Sequence, residues 1–425
     1  MLMSKKNESI ELVPELRFPE FETDGEWRLE AVDNLSETVT AGGTPSTKKE
    51  DYWGGNIRWM NSGELNLKIV REVEGRITDK GLKNSSTKII PENCVLIGLA
   101  GQGKTRGTVA INKVELCTNQ SIASIFPNDE VFDSGYLYHN LDNRYNELRE
   151  LSAGGQGRGG LNLKIIKEIK IPIPPEKTEQ QKIAATLTSL DNLIAAENEK
   201  LKALQAHKKG LLQQLFPEKG EKVPKLRFGE FSGDWEETTL GEIGSPLMCK
   251  RIFKEQTSTD STNSVPFYKI GTFGKVADAY ISVGLFKEFK SKFSYPKVGD
   301  ILISASGTIG RLVVYDGADA YYQDSNIVWL GHDESNVLNS FLYYYYLTVN
   351  WQTSDGGIIK RLYNSNLKEM VIVYPKDKKE QLKIACCLSS LDNTIADQSE
   401  IVDFLKDHKR GLMQQMFPKI NSNNL

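Results

Sequence analysis

One segment of the sequence carries the residues of a nucleotide-binding loop. Residues 98–105 read Gly-Leu-Ala-Gly-Gln-Gly-Lys-Thr and fit the pattern G-x-x-x-x-G-K-T, in which backbone amides and a lysine bind phosphate groups. Such a loop must open a helix, because amides at the helix N-terminus hold the phosphates. Residues 106–111, however, have the composition of a second β-strand. We therefore predict a glycine-rich β-turn here and reject nucleotide binding.

The other residues that could carry chemistry are scattered. The histidines form no pair at metal-ligand spacing, and the cysteines are odd in number without a C-x-x-C spacing; they are His139, His207, His332 and His408, and Cys94, Cys117, Cys249, Cys386 and Cys387. The aromatic-flanked Asn/Asp-Pro-Pro tetrapeptide of amino-methyltransferases is absent, since Pro174 and Pro175 follow an isoleucine. We expect reduced thiols, no catalytic site, and no metal or cofactor bound by this chain.

The bulk composition is that of a soluble protein with several domains. The 425 residues exceed one typical domain, 39% of them are apolar and 26% are charged. A formal net charge of −3 argues against non-specific coating of nucleic acid but leaves room for local basic surfaces. The N-terminal residues lack the apolar core of a signal peptide, and the longest apolar run, residues 341–349, is too short to span a bilayer. We expect a cytoplasmic protein without membrane contact.

The sequence contains an internal duplication. Residues 179–217 align without gaps on residues 380–418, at a constant offset of 201, with 22 of the 39 positions identical. The beginnings of the two halves also match, since Pro-Glu-Leu-Arg-Phe at 14–18 corresponds to Pro-Lys-Leu-Arg-Phe at 224–228. Between these landmarks the halves diverge. Residues 304–311, which correspond to the segment that resembles a phosphate loop, contain no lysine, and this supports its rejection.

The duplicated segments predict two long helices. Apolar residues recur at alternating steps of four and three over four to five heptads, which is the pattern of a coiled-coil seam, with polar gaps at Glu197, Lys208, Gln398 and Lys409. The seam residues are Ile183, Leu187, Leu190, Ile194, Leu201, Leu204, Leu211, Ile384, Leu388, Leu391, Ile395, Val402, Leu405 and Leu412. Pseudo-two-fold symmetry predicts that the helices pair antiparallel, with one globular domain at each end. The alternative is that each helix packs only on its own domain.

The remaining segments predict two mixed α/β domains, so the expected fold class is α+β with a pseudo-two-fold internal repeat. Strand-like runs bounded by turn residues include 94–97, 109–111, 301–303, 312–314 and 327–330, and helices are predicted at 134–151 and 335–349. We expect a first domain at 14–175, a first repeat helix at 176–217, a second domain at 224–375 and a second repeat helix at 376–418. The tyrosines at 343–346 are expected to pack a helix rather than to stack on bases.

Two motifs recur at the ends of the duplicated helices. Each helix begins with Glu-Gln-x-Lys-Ile-Ala, ends with Gln-Gln-x-Phe-Pro, and follows a divergent domain. Residues 42–46 (Gly-Gly-Thr-Pro-Ser) and 52–59 (Tyr-Trp-Gly-Gly-Asn-Ile-Arg-Trp) add a stretch that is frequent in target-recognition domains, and the second half lacks this stretch around residues 245–247. Over nearly its whole length, the chain thus resembles the specificity subunit of type I restriction-modification enzymes.

The resemblance implies a non-catalytic subunit that recognises double-stranded DNA. Each target-recognition domain would read one half of a split DNA sequence, and the paired helices would act as a spacer and as the seat for two modification subunits. Those partners would bind S-adenosylmethionine and methylate adenine, and restriction subunits would add translocation and cleavage that depend on ATP and Mg. This chain itself would bind none of these cofactors.

Basic residues in glycine-rich loops, at equivalent places of the two halves, are the candidates for DNA contact. Glycines let a backbone approach DNA closely, and arginine and lysine bind phosphates and base edges. The candidates are Lys104, Arg106, Arg158 and Lys164 in the first half and Arg311, Lys360 and Arg361 in the second. The alternative for each of them is a solvated loop charge without a partner.

One rival function also fits the repeat. A non-enzymatic scaffold could carry two protein-binding modules on a coiled-coil stalk. The two functions differ in one measurable property, because DNA affinity falls steeply with salt and binding by a protein scaffold does not.

Overall fold

The computed structural model describes residues 12–101, 105–151, 160–351, 353–354, 357–358 and 361–420. The chain forms two compact units. Unit 1 comprises Met1–Asn198 with Glu400–Leu425, and unit 2 comprises Glu199–Ser399. Among the described residues, no helix combines the length and the apolar character needed to cross a membrane.

Unit 1 contains short strands, short helices and part of a long helix. Its strands are β1 (Arg28–Ala31), β2 (Val39–Ala41), β3 (Trp53–Met60), β4 (Ile69–Val70), β5 (Arg76–Ile77), β6 (Ile89–Ile90), β7 (Val95–Gly98), β8 (Val109–Asn112), β9 (Leu116–Thr118), β10 (Ile122–Ile125) and β11 (Lys170–Ile173). Its helices are α1 (Val32–Leu35), α2 (Asp79–Lys83), α3 (Ser134–Asn143), α4 (Tyr145–Leu151), α5 (Leu163–Glu168) and α6 (Lys177–Leu215), which continues into unit 2. The sheets have the strand orders β2-β10-β7-β8-β4, β5-β3-β9-β6 and β1-β11.

Unit 2 has the same kinds of elements. Its strands are β12 (Glu236–Thr239), β13 (Ser245–Leu247), β14 (Ser264–Tyr268), β15 (Tyr280–Ser282), β16 (Ile301–Ser304), β17 (Leu312–Val314), β18 (Tyr321–Tyr322), β19 (Ile327–Gly331), β20 (Thr353–Ser354), β21 (Gly357–Ile358) and β22 (Val371–Tyr374). Its helices are α7 (Leu240–Ile243), α8 (Val283–Lys292), α9 (Asn339–Thr348), α10 (Asn364–Glu369) and α11 (Lys378–Met416), which continues into unit 1. The sheets have the strand orders β13-β19-β16-β17, β15-β14-β18, β12-β22 and β20-β21.

The two units repeat one arrangement of strands. β2-β10-β7-β8 in unit 1 and β13-β19-β16-β17 in unit 2 have the same order, and every pair in them is antiparallel. The strands β7, β8, β10 and β16 are buried at every position, which explains why their sequences are mostly apolar and do not alternate between apolar and polar residues. The predicted α+β fold with a duplicated mixed domain is confirmed.

Two of the predicted helices differ from those observed. The predicted helix 134–151 is broken at Arg144, whose guanidinium donates to the backbone oxygen of Lys170 at 2.6 Å and also binds Glu147. The predicted helix 335–349 begins only at Asn339, since the Leu338 amide donates to Oε1 of Gln381 at 2.8 Å. In both places a tertiary contact replaces the local helix. The tyrosines at 344 and 346 are buried in the core, as predicted.

The two long helices, α6 and α11, have 39 residues each and pair antiparallel. In unit 1, Nζ of Lys409, late in α11, donates to Oδ1 of Asp191, early in α6, at 2.5 Å. In unit 2 the roles reverse, and Lys208, late in α6, pairs with Asp392, early in α11. Two of the polar gaps in the apolar seam are therefore filled by lysines that form ion pairs with the opposite helix.

None of the seam residues is exposed. Those at the beginnings of the helices are buried, together with one near the middle of α11: Ile183, Leu187, Ile384, Leu388 and Val402. The others are half-buried: Leu190, Ile194, Leu201, Leu204, Leu211, Leu391, Ile395, Leu405 and Leu412. Ile183 and Leu187 belong to a core cluster that also contains Met413 and Met416 from the other helix and Phe417 just after it. The beginning of each helix thus packs both on its own domain and on the partner helix.

An ion pair forms at the start of each long helix. It connects the helix to the segment at the beginning of the same half of the chain. In unit 1, Nε and Nη2 of Arg17 donate to the two carboxylate oxygens of Glu179, each at 2.8 Å. In unit 2, Arg227 binds Glu380 in the same way, at 2.8 and 2.9 Å. The carboxylates are only 1% and 2% exposed. We call these two ion pairs the clamps.

The beginning of each half also contacts the end of a long helix. The Leu16 amide donates to the backbone oxygen of Gln415, and the Leu226 amide donates to that of Gln214, both at 2.9 Å. Because a helix leaves its last carbonyl groups without internal partners, these bonds satisfy two of them. The residues shared by the halves at 14–18 and 224–228 therefore have a structural function.

A buried histidine of α3 contacts the first long helix in unit 1. Nε2 of His139 is 3.0 Å from Oγ1 of Thr188, and Nδ1 is 3.9 Å from Oδ2 of Asp191. Burial, with smaller contributions from the charges of Lys409 and Lys113, lowers the pKa of His139 to about 3. Folding therefore favours the neutral imidazole.

This lowered pKa predicts a loss of stability on acidification. The pKa of His139 in the folded protein lies below the value of about 6.5 in an unfolded chain, so its contribution is fully present above pH 6.5 and is lost as the pH falls towards 3. Between pH 7.5 and 5, we expect His139 to account for a loss of about 2 kcal/mol in the free energy of unfolding. Between these two pH values, the free energy of unfolding of a His139→Gln variant should fall by about 2 kcal/mol less than that of the wild type. Denaturant titration at each pH measures this difference.

The matched control is His207→Gln, because His207 is exposed. This variant should keep the wild-type dependence on pH. The comparison ends at pH 5 because burial raises the pKa of the neighbouring Asp191, whose protonation acts with the opposite sign. Equal pH dependence of the wild type and His139→Gln would contradict the prediction.

Candidate nucleic-acid interface

The segment that resembles a phosphate loop connects two strands of a hairpin. β7 and β8 pair antiparallel, with Val95 opposite Ile111, and the chain passes from the turn into a strand rather than into a helix. The Gly107 amide donates to the backbone oxygen of Gly98 at 2.9 Å, and the φ of Gly107 is +76°, a value that favours glycine. The predicted passage from one strand into a second strand is therefore confirmed; residues 102–104, within the predicted β-turn, lie outside the described residues. Arg106 lies in this turn and is half-buried, whereas Lys104 lies outside the described residues.

Arg311 lies at the matching hairpin of unit 2, between β16 and β17. Its amide donates to Oγ of Ser304 and its Nη1 donates to the backbone oxygen of Phe273, both at 2.8 Å. The second bond ties the hairpin to a neighbouring loop. Part of the donor capacity of Arg311 is therefore used inside the domain, and the residue remains a candidate for DNA contact.

The candidates in the glycine-rich loops have different surroundings. Lys164 is 83% exposed on α5, with its Nζ 3.9 Å from Glu168. Arg361 is half-buried, and its Nη2 donates to the backbone oxygen of Ser325 at 2.9 Å. Arg158 and Lys360 lie outside the described residues. The structure brings Arg361 and Arg311 to neighbouring loops of unit 2, because the turn between β16 and β17 also contacts the loop that contains Ser325.

That loop, residues 323–326, carries a site that the sequence analysis did not identify. Oδ2 of Asp324 accepts a hydrogen bond from Nε of Arg251 at 2.8 Å. Nζ of Lys250 lies 5.2 Å from the centre of the Phe293 ring, and Phe253 is exposed beside it. These residues line an open groove of about 570 Å³. Because Arg251 and Asp324 are 73 positions apart, only the basic pair at 250–251 just after a strand could have indicated the site.

The Gly-Gly-Thr-Pro-Ser segment of unit 1 lies at the corresponding place, after β2. A Cβ atom on Gly42 would lie 2.0 Å from the backbone oxygen of Thr118, so only glycine fits there. Nε1 of Trp59 donates to the backbone oxygen of Gly43 at 2.9 Å and fixes the segment. This positions Thr44, whose hydroxyl donates to Oε1 of Gln120 at 2.5 Å on the surface.

A second charged group in unit 1 joins Arg58 of β3 and Arg76 of β5 through Glu72, which lies between β4 and β5. The carboxylate of Glu72 accepts hydrogen bonds from Nε of Arg58 at 3.1 Å and from Nη2 of Arg76 at 2.7 Å. The hydrogen bond from Arg58, helped by the Val73 amide and by Arg76, lowers the pKa of Glu72 to about 2. The carboxylate therefore stays charged at neutral pH and holds both arginines.

The side chains at these loops can donate and accept hydrogen bonds. Within the part of the chain that the structure describes, no group of three or more histidine, cysteine or acidic side chains could hold a metal ion. The surface side chains are arginine, lysine, threonine and glutamine, which are the types that bind phosphates and the edges of bases. These side chains lie on short loops next to a sheet, and hydrogen bonds between the loops hold them in position.

Comparison with known proteins gives a consistent result. The family model described as the type I restriction modification DNA specificity domain matches residues 26–206 and again residues 232–402. The candidate type I restriction enzyme specificity subunit S.HindORF215P of Haemophilus influenzae is 45% identical over 271 residues, which are 63% of this chain and 67% of that protein. The type I restriction enzyme MjaVIII specificity subunit of Methanocaldococcus jannaschii is 24% identical over an alignment of 441 residues, covering 99% of this chain and 98% of that protein.

Solved structures share the fold over almost the full length. The crystal structure of the type I restriction-modification S subunit from M. genitalium superposes with a TM-score of 0.61 at 17% identity, covering 96% of this chain and 100% of that chain. A structure from work on complex assembly and conformational transition of the type I R-M system gives a TM-score of 0.58 at 16% identity, covering 92% and 97%. With two matches of the domain model that together span most of its residues, the chain belongs to the type I restriction-modification DNA specificity family.

Proposed function

We propose that this chain reads a bipartite DNA target, with each unit recognising one half-site, and that it recruits the modification subunits that methylate this target. The observation that carries the proposal is the contrast between the units. Their strand order and clamps are the same, while the loops after β2 and β13 differ in sequence and in surface residues. Two domains that recognise different half-sites need this combination of a common scaffold and different loops.

The loops suit sequence recognition rather than general affinity for DNA. A base-reading side chain must be held in position, since each good pair of hydrogen bonds to a base edge discriminates by about 1–3 kcal/mol. Hydrogen bonds inside the domains hold Thr44 against Gln120 and Arg251 against Asp324. The net charge of −3 limits non-specific attraction to the backbone, so phosphate contacts must come from local basic residues.

Recruitment of two modification subunits is supported by the surface of the long helices. Several residues that are identical in the two copies are exposed on the long helices; they include Ser189, Asn192, Glu199, His207, Gln213 and Gln214, with Ser390, Asn393, Glu400, His408, Gln414 and Gln415. The same surface presented twice suits two copies of one partner.

Two helical glycines support the same proposal. Gly210 and Gly411 lie inside the long helices, where glycine costs about 1 kcal/mol relative to alanine. A Cβ atom at either position would meet nothing within 4 Å. The packing of this chain therefore does not require glycine there, whereas close approach of a partner would. Exposed Lys209 and Arg410 lie beside the glycines and favour an acidic partner surface.

The chemistry of the assembled enzyme would then belong to the partners. Modification subunits would bind S-adenosylmethionine, and restriction subunits would use ATP and Mg, while this chain alone would catalyse neither methyl transfer nor ATP hydrolysis. We place the complex in the cytoplasm, where its DNA substrate is.

The test of the proposed function is methylation that depends on this chain. In cells that express a modification subunit with and without the chain, methylome sequencing should detect a methylated bipartite sequence only when the chain is present. The purified chain should bind duplex DNA with an affinity that falls with salt, at a log–log slope of about −0.9 for each phosphate contacted. An unchanged methylome, together with duplex binding that is weak and insensitive to salt, would support the rival scaffold function instead.

If the modification subunits bind the long helices at Gly210 and Gly411, larger side chains at these two positions should block their recruitment. The wild type should recruit two modification subunits. Gly210→Leu alone or Gly411→Leu alone should recruit one subunit, and the double variant should recruit none. Mass photometry of the reconstituted complex measures the number of subunits. A Cβ atom has open space at both positions and leucine favours a helix more than glycine does, so the variants should fold.

The matched control for these variants is the double Gly210→Ala, Gly411→Ala chain. It adds only methyl groups and should raise the free energy of unfolding by about 1 kcal/mol for each site. Recruitment of two subunits by the double leucine variant would exclude this surface as the docking site.

A further inference from the structure

Of the four arginines of unit 2, all of them described, one is exposed. Arg227 belongs to the clamp, Arg311 donates to the backbone oxygen of Phe273, and Arg361 donates to the backbone oxygen of Ser325. The side chain of Arg251, by contrast, is 60% exposed. Arg251 is therefore the exposed arginine of this unit, whereas the other three are half-buried.

The exposed guanidinium of Arg251 is also oriented. Its Nε donates to Asp324, whose side chain is only 16% exposed. Among the described residues, the terminal nitrogens Nη1 and Nη2 of Arg251 have no hydrogen-bond acceptor. A free arginine samples many rotamers, whereas this one presents two parallel N–H donors in one direction.

The loop that carries Asp324 is itself held from several sides. Oε1 of Gln323 accepts from the Ile270 amide at 3.0 Å, and Oδ1 of Asn326 accepts from the Ser306 hydroxyl at 2.8 Å. Arg361 binds the backbone oxygen of Ser325, which has a φ of +57°, a value uncommon for residues other than glycine. Surrounding contacts thus fix the loop, and through it the position of Arg251.

Unit 1 has a different pair of residues at the corresponding place. Thr44 follows β2 and Gln120 precedes β10, as Arg251 follows β13 and Asp324 precedes β19. In each unit the two residues join the same two loops by a hydrogen bond. The scaffold is the same in the two units, and the exposed functional groups differ. Recognition of two different half-sites requires such a difference.

We propose that Arg251 reads a guanine in the major groove of the half-site bound by unit 2, with Asp324 as its positioning residue; this rests on the proposed function that the chain reads DNA. The paired donors of arginine match the O6 and N7 acceptors of guanine. A phosphate is the poorer ligand here, because the carboxylate of Asp324 next to Arg251 repels an anion and not a neutral base edge. Exposed Phe253 and Phe293 line the same groove.

The experiment compares Arg251→Ala, Arg251→Lys and Asp324→Asn in the full chain, expressed with its modification subunit. Methylome sequencing should show that Arg251→Ala loses selectivity at one G·C position of one half-site, while the other half-site stays unchanged. Competition between duplexes that differ at this position should show discrimination reduced about 5- to 150-fold. Arg251→Lys keeps the charge but not the paired donors, so it should also lose selectivity, and Asp324→Asn should lose less.

The control is Lys225→Ala, which removes another exposed cation of unit 2 that is paired with an acidic residue, Glu218. It should leave both words unchanged. Retention of both words by Arg251→Ala would overturn the inference, and so would equal weakening on all duplexes, which indicates a phosphate contact. A wild-type chain that directs no methylation at all would instead overturn the proposed function, so the two failures are distinguishable.

Discussion

The clamps between Arg17 and Glu179 and between Arg227 and Glu380 are the contacts on which each unit depends. Each joins residues that are 162 or 153 positions apart, and it closes the domain on the start of its long helix. Removing charges from water costs several kcal/mol per ion, so such a pair is tolerable only with complete hydrogen bonding. Both clamps meet this condition, because each carboxylate binds two guanidinium N–H groups and Nη1 donates to the backbone oxygen of Gly25 or Gly233.

The clamps also connect each domain to the helix pair. The leading segment that contains Arg17 donates its Leu16 amide to the end of α11, and the corresponding segment of unit 2 makes the same bond to the end of α6. The residue after each clamp carboxylate, Gln180 or Gln381, accepts a hydrogen bond from the backbone amide of Asp133 or Leu338, just before a domain helix. The residues shared by the two halves thus form one continuous set of contacts, and the loops outside this set are free to differ. This arrangement explains how the two halves can keep the same helices and clamps while their loops differ.

The sequence predicted the duplicated parts well because their signals are local and repeated. The apolar periodicity predicted two long helices, and the second copy, which contains no lysine at residues 304–311, supported the rejection of a phosphate loop at residues 98–105. The candidate site was predicted poorly. Asp324 positions Arg251, and Thr44 contacts Gln120. These residues are 73 and 76 positions apart in the sequence, so no local pattern indicates either contact. Basic residues next to glycines were visible, but the sequence did not show that Arg311 and Arg361 also bind backbone oxygens inside the domain.

In the proposed function, specificity lies in the variable part of each unit, and the clamps and helices are a common scaffold. The most direct measurement is the methylome of a chain in which residues 234–360 are replaced by residues 26–160, so that both units carry the first reader. The account predicts that this chain still assembles with its modification subunits and methylates a target in which both half-sites are the first word. Persistence of the second word, or methylation of two unrelated words, would contradict it.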